Sequence, residues 1–336
     1  MNGNKSVEEI FNEGAEERRV DVSTKSSTQS FLANLIDYAG LFPPSQLPLE
    51  EAINNYASYQ SDHDSWMLGR FIIPATRLEE LDSYMCLYSK NKPLPIAAIG
   101  QRSSDEDSCL EALNSDLEKI AAFCKKHGEV ASVDVLELPL PPIIPTSHLL
   151  NVIGKKARKH NLQIFCEMTM PLHGDWVDLM LSTLDEISEH NRLNETALGM
   201  KLRTGGITAD TFPTPTQVAT VLVGCYERKI PLKFTAGLHH PIRMYRDEVK
   251  TKMHGFLNLF TAGMIARVHL LDIDTTAEVL ADEDASHFRF TSKGLCWRDL
   301  FVPLSDIELL RKQALYSYGS CSFNEPREGL QLQKII

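Results

Sequence analysis

Lys201 and Lys233 each sit inside a short apolar run, Leu198-Gly199-Met200-Lys201-Leu202-Arg203 and Ile230-Pro231-Leu232-Lys233-Phe234-Thr235. Lysine is rarely buried. Burial disfavours its ammonium, and a second ammonium within roughly 4–6 Å disfavours it further. Together these can bring a lysine from about 10.4 toward roughly 7–8, where part of it is neutral amine. A neutral amine attacks a carbonyl and forms a Schiff base, an electron sink for making or breaking the adjacent carbon–carbon bond. The plainer alternative is that each lysine pairs with a carboxylate and fills space.

The elements that must hold this pair alternate along the chain. Apolar runs at residues 35–42, 67–73, 94–99, 132–138, 162–168, 198–204 and 230–236, with a weaker one at 314–320, are each followed by a helical stretch. Thr214-Pro215-Thr216-Gln217 has the form of a capping box with proline at the first helical position, and Ser305-Asp306-Ile307-Glu308 reads as a second box. Strands that are apolar throughout are those of a parallel sheet covered by helices. Seven or eight such units predict an α/β fold, a (β/α)8 TIM barrel. Residues 1–27, polar and poor in large apolar side chains, read as a flexible tail before a barrel over 28–336. The interval between the seventh and eighth runs is far longer than the roughly 30 residues a strand–helix–strand unit needs. An insertion is therefore expected at about residues 240–312, with a helix from Met253 to about Leu271, a hairpin at Phe288–Trp297 and a helix from Asp306.

Functional side chains of such a barrel project from the C-terminal ends of its strands. Those ends supply Asp37, Arg70, Asp134, Glu137, Glu167, Lys201, Arg203, Lys233, Thr235, His239 and His240, with Thr204 a further binding candidate. Alternation makes Asp134 the inward acid of its strand, and Glu137, three residues on, then faces away. Glu137 or Glu167 with a histidine is a second reading, a metal-dependent isomerase or hydrolase, although no H-E-x-x-H spacing occurs. A barrel that only binds a ligand is a third.

Composition narrows the partners. Lys and Arg number 34 against 45 Asp and Glu, a formal charge of −11, which argues against a nucleic-acid backbone as ligand. No run approaches the roughly 18 apolar residues of a membrane helix, and the first residues have no apolar signal core. Seven cysteines with no C-x-x-C pair fit a reducing cytoplasm. Phe288, Phe290, Trp297 and Phe301 read as cover for a hydrophobic surface, one use of which is contact between copies of the chain.

Several motifs together resemble the deoxyribose-phosphate aldolase family. Leu35-Ile36-Asp37-Tyr38-Ala39-Gly40-Leu41 is similar to its first strand, with Ala39 in place of a threonine. Ser132-Val133-Asp134-Val135 and Phe165-Cys166-Glu167-Met168-Thr169 are similar to its fourth and fifth. Lys201-Leu202-Arg203-Thr204-Gly205 resembles the family's Lys-Thr-Ser-Thr-Gly, and Lys233-Phe234-Thr235-Ala236-Gly237 the segment of its second lysine. Gly319-Ser320-Cys321-Ser322 looks like its Gly-Ala-Ser-Ser. The resemblance implies a class I aldolase, needing neither metal nor organic cofactor. Lys201 would be the Schiff-base nucleophile, Lys233 the cation lowering its pKa, Asp134 the proton relay, and Gly319, Ser320 and Ser322 the turn that binds an anionic group. Arg203 stands where the family has serine, the loop continues through His239 and His240, and the long insertion is foreign to the family. These departures point to a carboxylate or other anion on a small carbonyl substrate.

Overall fold

The computed structural model describes residues 26–336. The predicted tail lies outside them except at its end. There Ser26 caps the helix Ser27–Leu32 in a reciprocal box with Gln29, so Ser27 is helical. Seven strands follow in chain order: β1 (Ile36–Tyr38), β2 (Leu68–Pro74), β3 (Leu94–Ile99), β4 (Ala131–Pro139), β5 (Gln163–Glu167), β6 (Gly199–Arg203) and β7 (Leu232–Thr235). The insertion then contributes a hairpin, β8 (Met244–Arg246) and β9 (Thr251–Met253), and a three-stranded sheet, β10 (Phe288–Thr291), β11 (Gly294–Trp297) and β12 (Leu300–Pro303). Strand β13 (Leu315–Ser320) pairs in parallel with β7 and β1 and closes an eight-stranded barrel, as the alternation of runs predicted.

Local sequence explains most of the helices that cover it. Thr214 and Gln217 form the anticipated capping box on the helix Pro215–Glu227. The second box does not form: the helix Leu304–Gln313 begins two residues earlier, behind Pro303, because β12 runs directly into it. The expected long helix is Phe256–His269. It starts after Gly255 and ends at Leu270, which takes a left-handed φ of 54°. Every residue from Phe256 to Ala266 is buried. A continuous apolar helix of this kind belongs inside a protein, here between the barrel and the added sheet.

Two of the four aromatics of the insertion turn inward, while Phe290 and Phe301 are half-buried. Phe288 and Trp297 are buried, and the Trp297 indole donates to Asp282 at 2.8 Å. Phe290 packs edge-on to Phe31 at 5.3 Å. The predicted two-stranded hairpin gains a third strand, β12, which turns its apolar face inward. No helix among the described residues is long and apolar enough to cross a membrane.

Inside the barrel, Ala39, Ile72, Ala97, Val135 and Phe165 form a small apolar cluster separate from the core under the helices. The polar residues of the interior are arranged around it.

Candidate functional site

Strands β6 and β7 are paired so that Lys201 lies directly opposite Lys233. Both side chains point into the barrel and are almost fully buried, 3% and 1% exposed. What surrounds them differs from the expectation of two crowded, unpaired amines. The Lys201 ammonium contacts Glu137 Oε2 at 2.5 Å and Glu167 Oε2 at 2.8 Å. The Lys233 ammonium donates to Asp37 Oδ2 and to Ser317 Oγ at 2.9 Å, and lies 3.3 Å from Glu137 Oε1. Glu137 thus offers one oxygen to each lysine. Burial opposes the charged form of Lys201, but Glu137 and Glu167 outweigh it and hold its pKa above the ordinary lysine value. The resting nucleophile candidate is therefore an ammonium ion. Lowering of its pKa by Lys233 is corrected, because carboxylates stand around both nitrogens.

The carboxylates respond in kind. Burial raises Asp37, yet Lys233 and Arg70 draw it below the usual range. Glu167 is likewise lowered against burial by Lys201 and Arg203. Asp37 also accepts the Arg70 backbone N–H at 2.6 Å, which fixes the carboxylate from the β2 side.

Glu137 and Asp134 exchange the roles that simple alternation assigns them. The β3–β4 register steps from Ile96↔Val133 to Ala97↔Val135, so Asp134 is the extra residue of a β-bulge. Beyond the bulge the faces are shifted, and Val135 and Glu137 point inward. Asp134 instead takes both Arg70 Nε at 2.7 Å and Nη2 at 2.6 Å, and its side chain is 49% exposed. Arg70 itself is not at a C-terminal strand end, since β2 runs on to Pro74. It lines a cavity of about 740 Å³ at the opposite end of the barrel with Asn34, Arg311 and Tyr316.

At the C-terminal end, Lys201, Glu167 and Arg203 border a cavity of about 400 Å³. Arg203 reaches Glu167 Oε1 at 3.4 Å and is about half exposed. Arg102 faces the same space across a wall of Met168, Met170 and Trp176. Arg102 was missed from sequence although it follows β3 by only three residues, where the strand-end rule applies. Ser317 was missed too; its signal is the alternation Ser317, Gly319 on the inner face of β13.

Other expected binding residues are engaged elsewhere. Thr204 is buried and its hydroxyl donates to the Ala236 carbonyl at 2.6 Å, tying the β6 and β7 loops together. Ser320 donates to the Ser322 carbonyl at 2.6 Å, within the turn that Gly319 enters. His239 pairs with Glu325 at 2.9 Å. His240 is half-buried and held below the ordinary histidine pKa by burial and by the nearby Arg246 and His239. None of Thr204, His239, His240, Gly319, Ser320 and Ser322 lines the Lys201 cavity. Among the described residues no group of three or more His, Cys, Asp or Glu is arranged to hold a metal; the acids of the metal reading, Glu137 and Glu167, are closed by Lys201.

No protein-family model matches the chain, and no curated protein matches it. Among solved structures it is similar to a tetrameric deoxyribose phosphate aldolase from Aeropyrum pernix, with 13% identity, a TM-score of 0.44, 63% of this chain and 80% of that chain covered. The catalytic domain of a chitinase from Pyrococcus furiosus shares 10% identity at a TM-score of 0.39, over 78% of this chain and 93% of the other. The carboxyl transferase domain of Rhizobium etli pyruvate carboxylase shares 11% at 0.27, over 85% of this chain and 48% of that one.

Proposed function

We propose that this barrel is a class I lyase of the aldolase type, with Lys201 as the Schiff-base residue for a small anionic carbonyl compound. One observation carries the reading: of the two buried lysines, Lys201 alone opens onto the C-terminal cavity. It does so beside a carboxylate 2.5 Å away that can take its proton.

In this reading Glu137 accepts a proton from the Lys201 ammonium, and the freed amine attacks the carbonyl carbon. The carbinolamine then loses its oxygen as water, taking back the proton that Glu137 holds, and leaves an iminium on Nζ. Glu137, again a carboxylate, takes the proton of the substrate's β-hydroxyl as the carbon–carbon bond breaks; the iminium accepts that bond's electron pair and becomes an enamine, and the other fragment leaves as an aldehyde. Lys233, 3.3 Å from the other oxygen of Glu137, holds that side chain in place between turnovers. Arg102 and Arg203 supply fixed cations at the cavity, suited to a carboxylate or phosphate on the substrate. The Met168, Met170 and Trp176 wall takes its carbon chain.

The test is borohydride trapping with a panel of aldehydes and 2-oxo acids, read by peptide mass spectrometry. A reduced adduct is expected on Lys201, absent from Lys201→Met and, with an uncharged analogue of the same carbonyl, weakened by about tenfold or more through loss of the charged contacts. A panel that leaves Lys201 unmodified throughout would overturn the reading and favour a barrel that only binds.

A further inference from the structure

Across the mouth from the Lys201 cavity, the turn after β13 brings a cysteine against the histidine of the β7 loop. His239 Nδ1 lies 2.9 Å from Glu325 Oε2 and 3.8 Å from Cys321 Sγ. The geometry decides where the protons are. A carboxylate at 2.9 Å can only accept, so Nδ1 must carry the hydrogen. An Nδ1 that donates cannot accept a proton from the thiol, so the sulfur meets an N–H as an acceptor. A sulfur so placed beside an imidazole oriented by a carboxylate is favoured as thiolate.

We propose that Cys321, with His239 and Glu325, forms a reactive-thiol site that is modified by peroxide and other small electrophiles. This site is independent of the Lys201 chemistry. In the peroxide reaction, the Cys321 thiolate attacks one oxygen of hydrogen peroxide and the O–O bond breaks. Sulfur leaves as a sulfenic acid, and the departing hydroxide takes the proton of the imidazolium to become water. The thiolate is oxidised by two electrons and the peroxide reduced.

The surroundings agree with this assignment. Burial works against the imidazolium, but Cys321 and Glu325 outweigh it and raise His239 to about 9. His239 in turn holds the Cys321 thiol below its usual range against burial, aided by hydrogen bonds from Ser45. Glu325 is lowered chiefly by its bond to His239, with smaller contributions from His240 and Arg246, and Glu248 acts on His240.

The native protein contains its own controls: Cys86 is exposed, and Cys166 and Cys225 are buried, as Cys321 itself is. Hydrogen peroxide at neutral pH, followed by a sulfenic-acid probe and peptide mass spectrometry, is expected to mark Cys321 about tenfold faster than Cys86. His239→Gln and Glu325→Gln should each bring Cys321 down to the Cys86 rate or below, with Cys86 unchanged and Cys166 and Cys225 unmarked, which reports an intact fold. Cys321 marked only after urea, or marked equally fast in an intact His239→Gln protein, would overturn the proposal.

Discussion

Lys201 and Lys233 are cross-strand partners, face the same interior and share one carboxylate, yet the barrel treats them differently. Strand β5 puts Glu167 beside Lys201 at the rim of a cavity. Strands β1 and β13 put Asp37 and Ser317 around Lys233, in a pocket closed on all sides by the interior cluster and the strands themselves. Two identical side chains at one level of a barrel therefore acquire different chemistry from the strand on their other flank. One borders a cavity; the other is a buried counter-ion for the acids around it.

Removing each amine in turn tests that difference with the largest effect. Lys233→Met leaves Asp37 as a buried carboxylate with no ammonium, and should cost about 3–5 kcal/mol of stability, the range for breaking a buried pair. Lys201→Met leaves Glu167 at the cavity rim with Arg203 still beside it and Glu137 with Lys233 still beside it, and should cost about 1–3 kcal/mol. Urea unfolding of both variants is the check. Equal losses would mean that access to the cavity carries no energetic weight and that the two lysines are interchangeable. Lys233→Met combined with Asp37→Asn should recover part of the first loss, because the stranded charge is gone.

The barrel and the lysine pair were legible in sequence for a physical reason. Strands covered on both faces must be apolar throughout, so Lys201 and Lys233 interrupt a pattern that allows few exceptions. Neighbouring runs in such a fold are neighbouring strands, and the pair follows directly. The charge state was not legible, because it depends on Asp37 of β1 and Glu137 of β4, which meet the lysines only across the barrel, as well as on Glu167 of the neighbouring β5. The inner face of β4 was misread for a narrower reason. A single bulge residue reverses the alternation after it, and nothing in Ser132-Val133-Asp134-Val135 announces one. The insertion was visible as excess length, whereas its third strand and inward-facing aromatics required the helix Phe256–His269 as a partner.

The pH dependence of stability sharpens the comparison at the next level. Asp37 and Glu167 have folded pKa values below their ordinary 3.8 and 4.5. Their contribution is complete above those values and is lost as pH falls through the lower folded ones, where the unfolded chain takes up protons first. Lys201 has the opposite sign: raised above 10.5, its contribution is complete below that value and is lost as pH rises through the higher folded one. The unfolding temperature should therefore be level in between as far as these groups decide it, and drop in acid and in strong alkali. Asp37→Asn and Glu167→Gln should each flatten the acid limb, and Lys201→Met the alkaline one. An acid limb unchanged in both carboxylate variants would place the acid-labile groups outside the barrel interior.

The smallest effect belongs to Asp134, and it separates the inner from the outer acid of β4. Its pair with Arg70 is bidentate but half exposed, and pairs of that kind contribute about 0–1 kcal/mol. Asp134→Asn should therefore shift the urea midpoint little and leave borohydride trapping on Lys201 at the wild-type level. Glu137→Gln, three residues on, takes away the proton acceptor 2.5 Å from Lys201 and should slow trapping by about 10²-fold, the scale of a lost general base. If Asp134→Asn were instead the slow variant, the bulge would have to relax in solution and return Asp134 to the interior. Glu137 would then turn outward, and the carboxylate bridge between the two lysines would not exist.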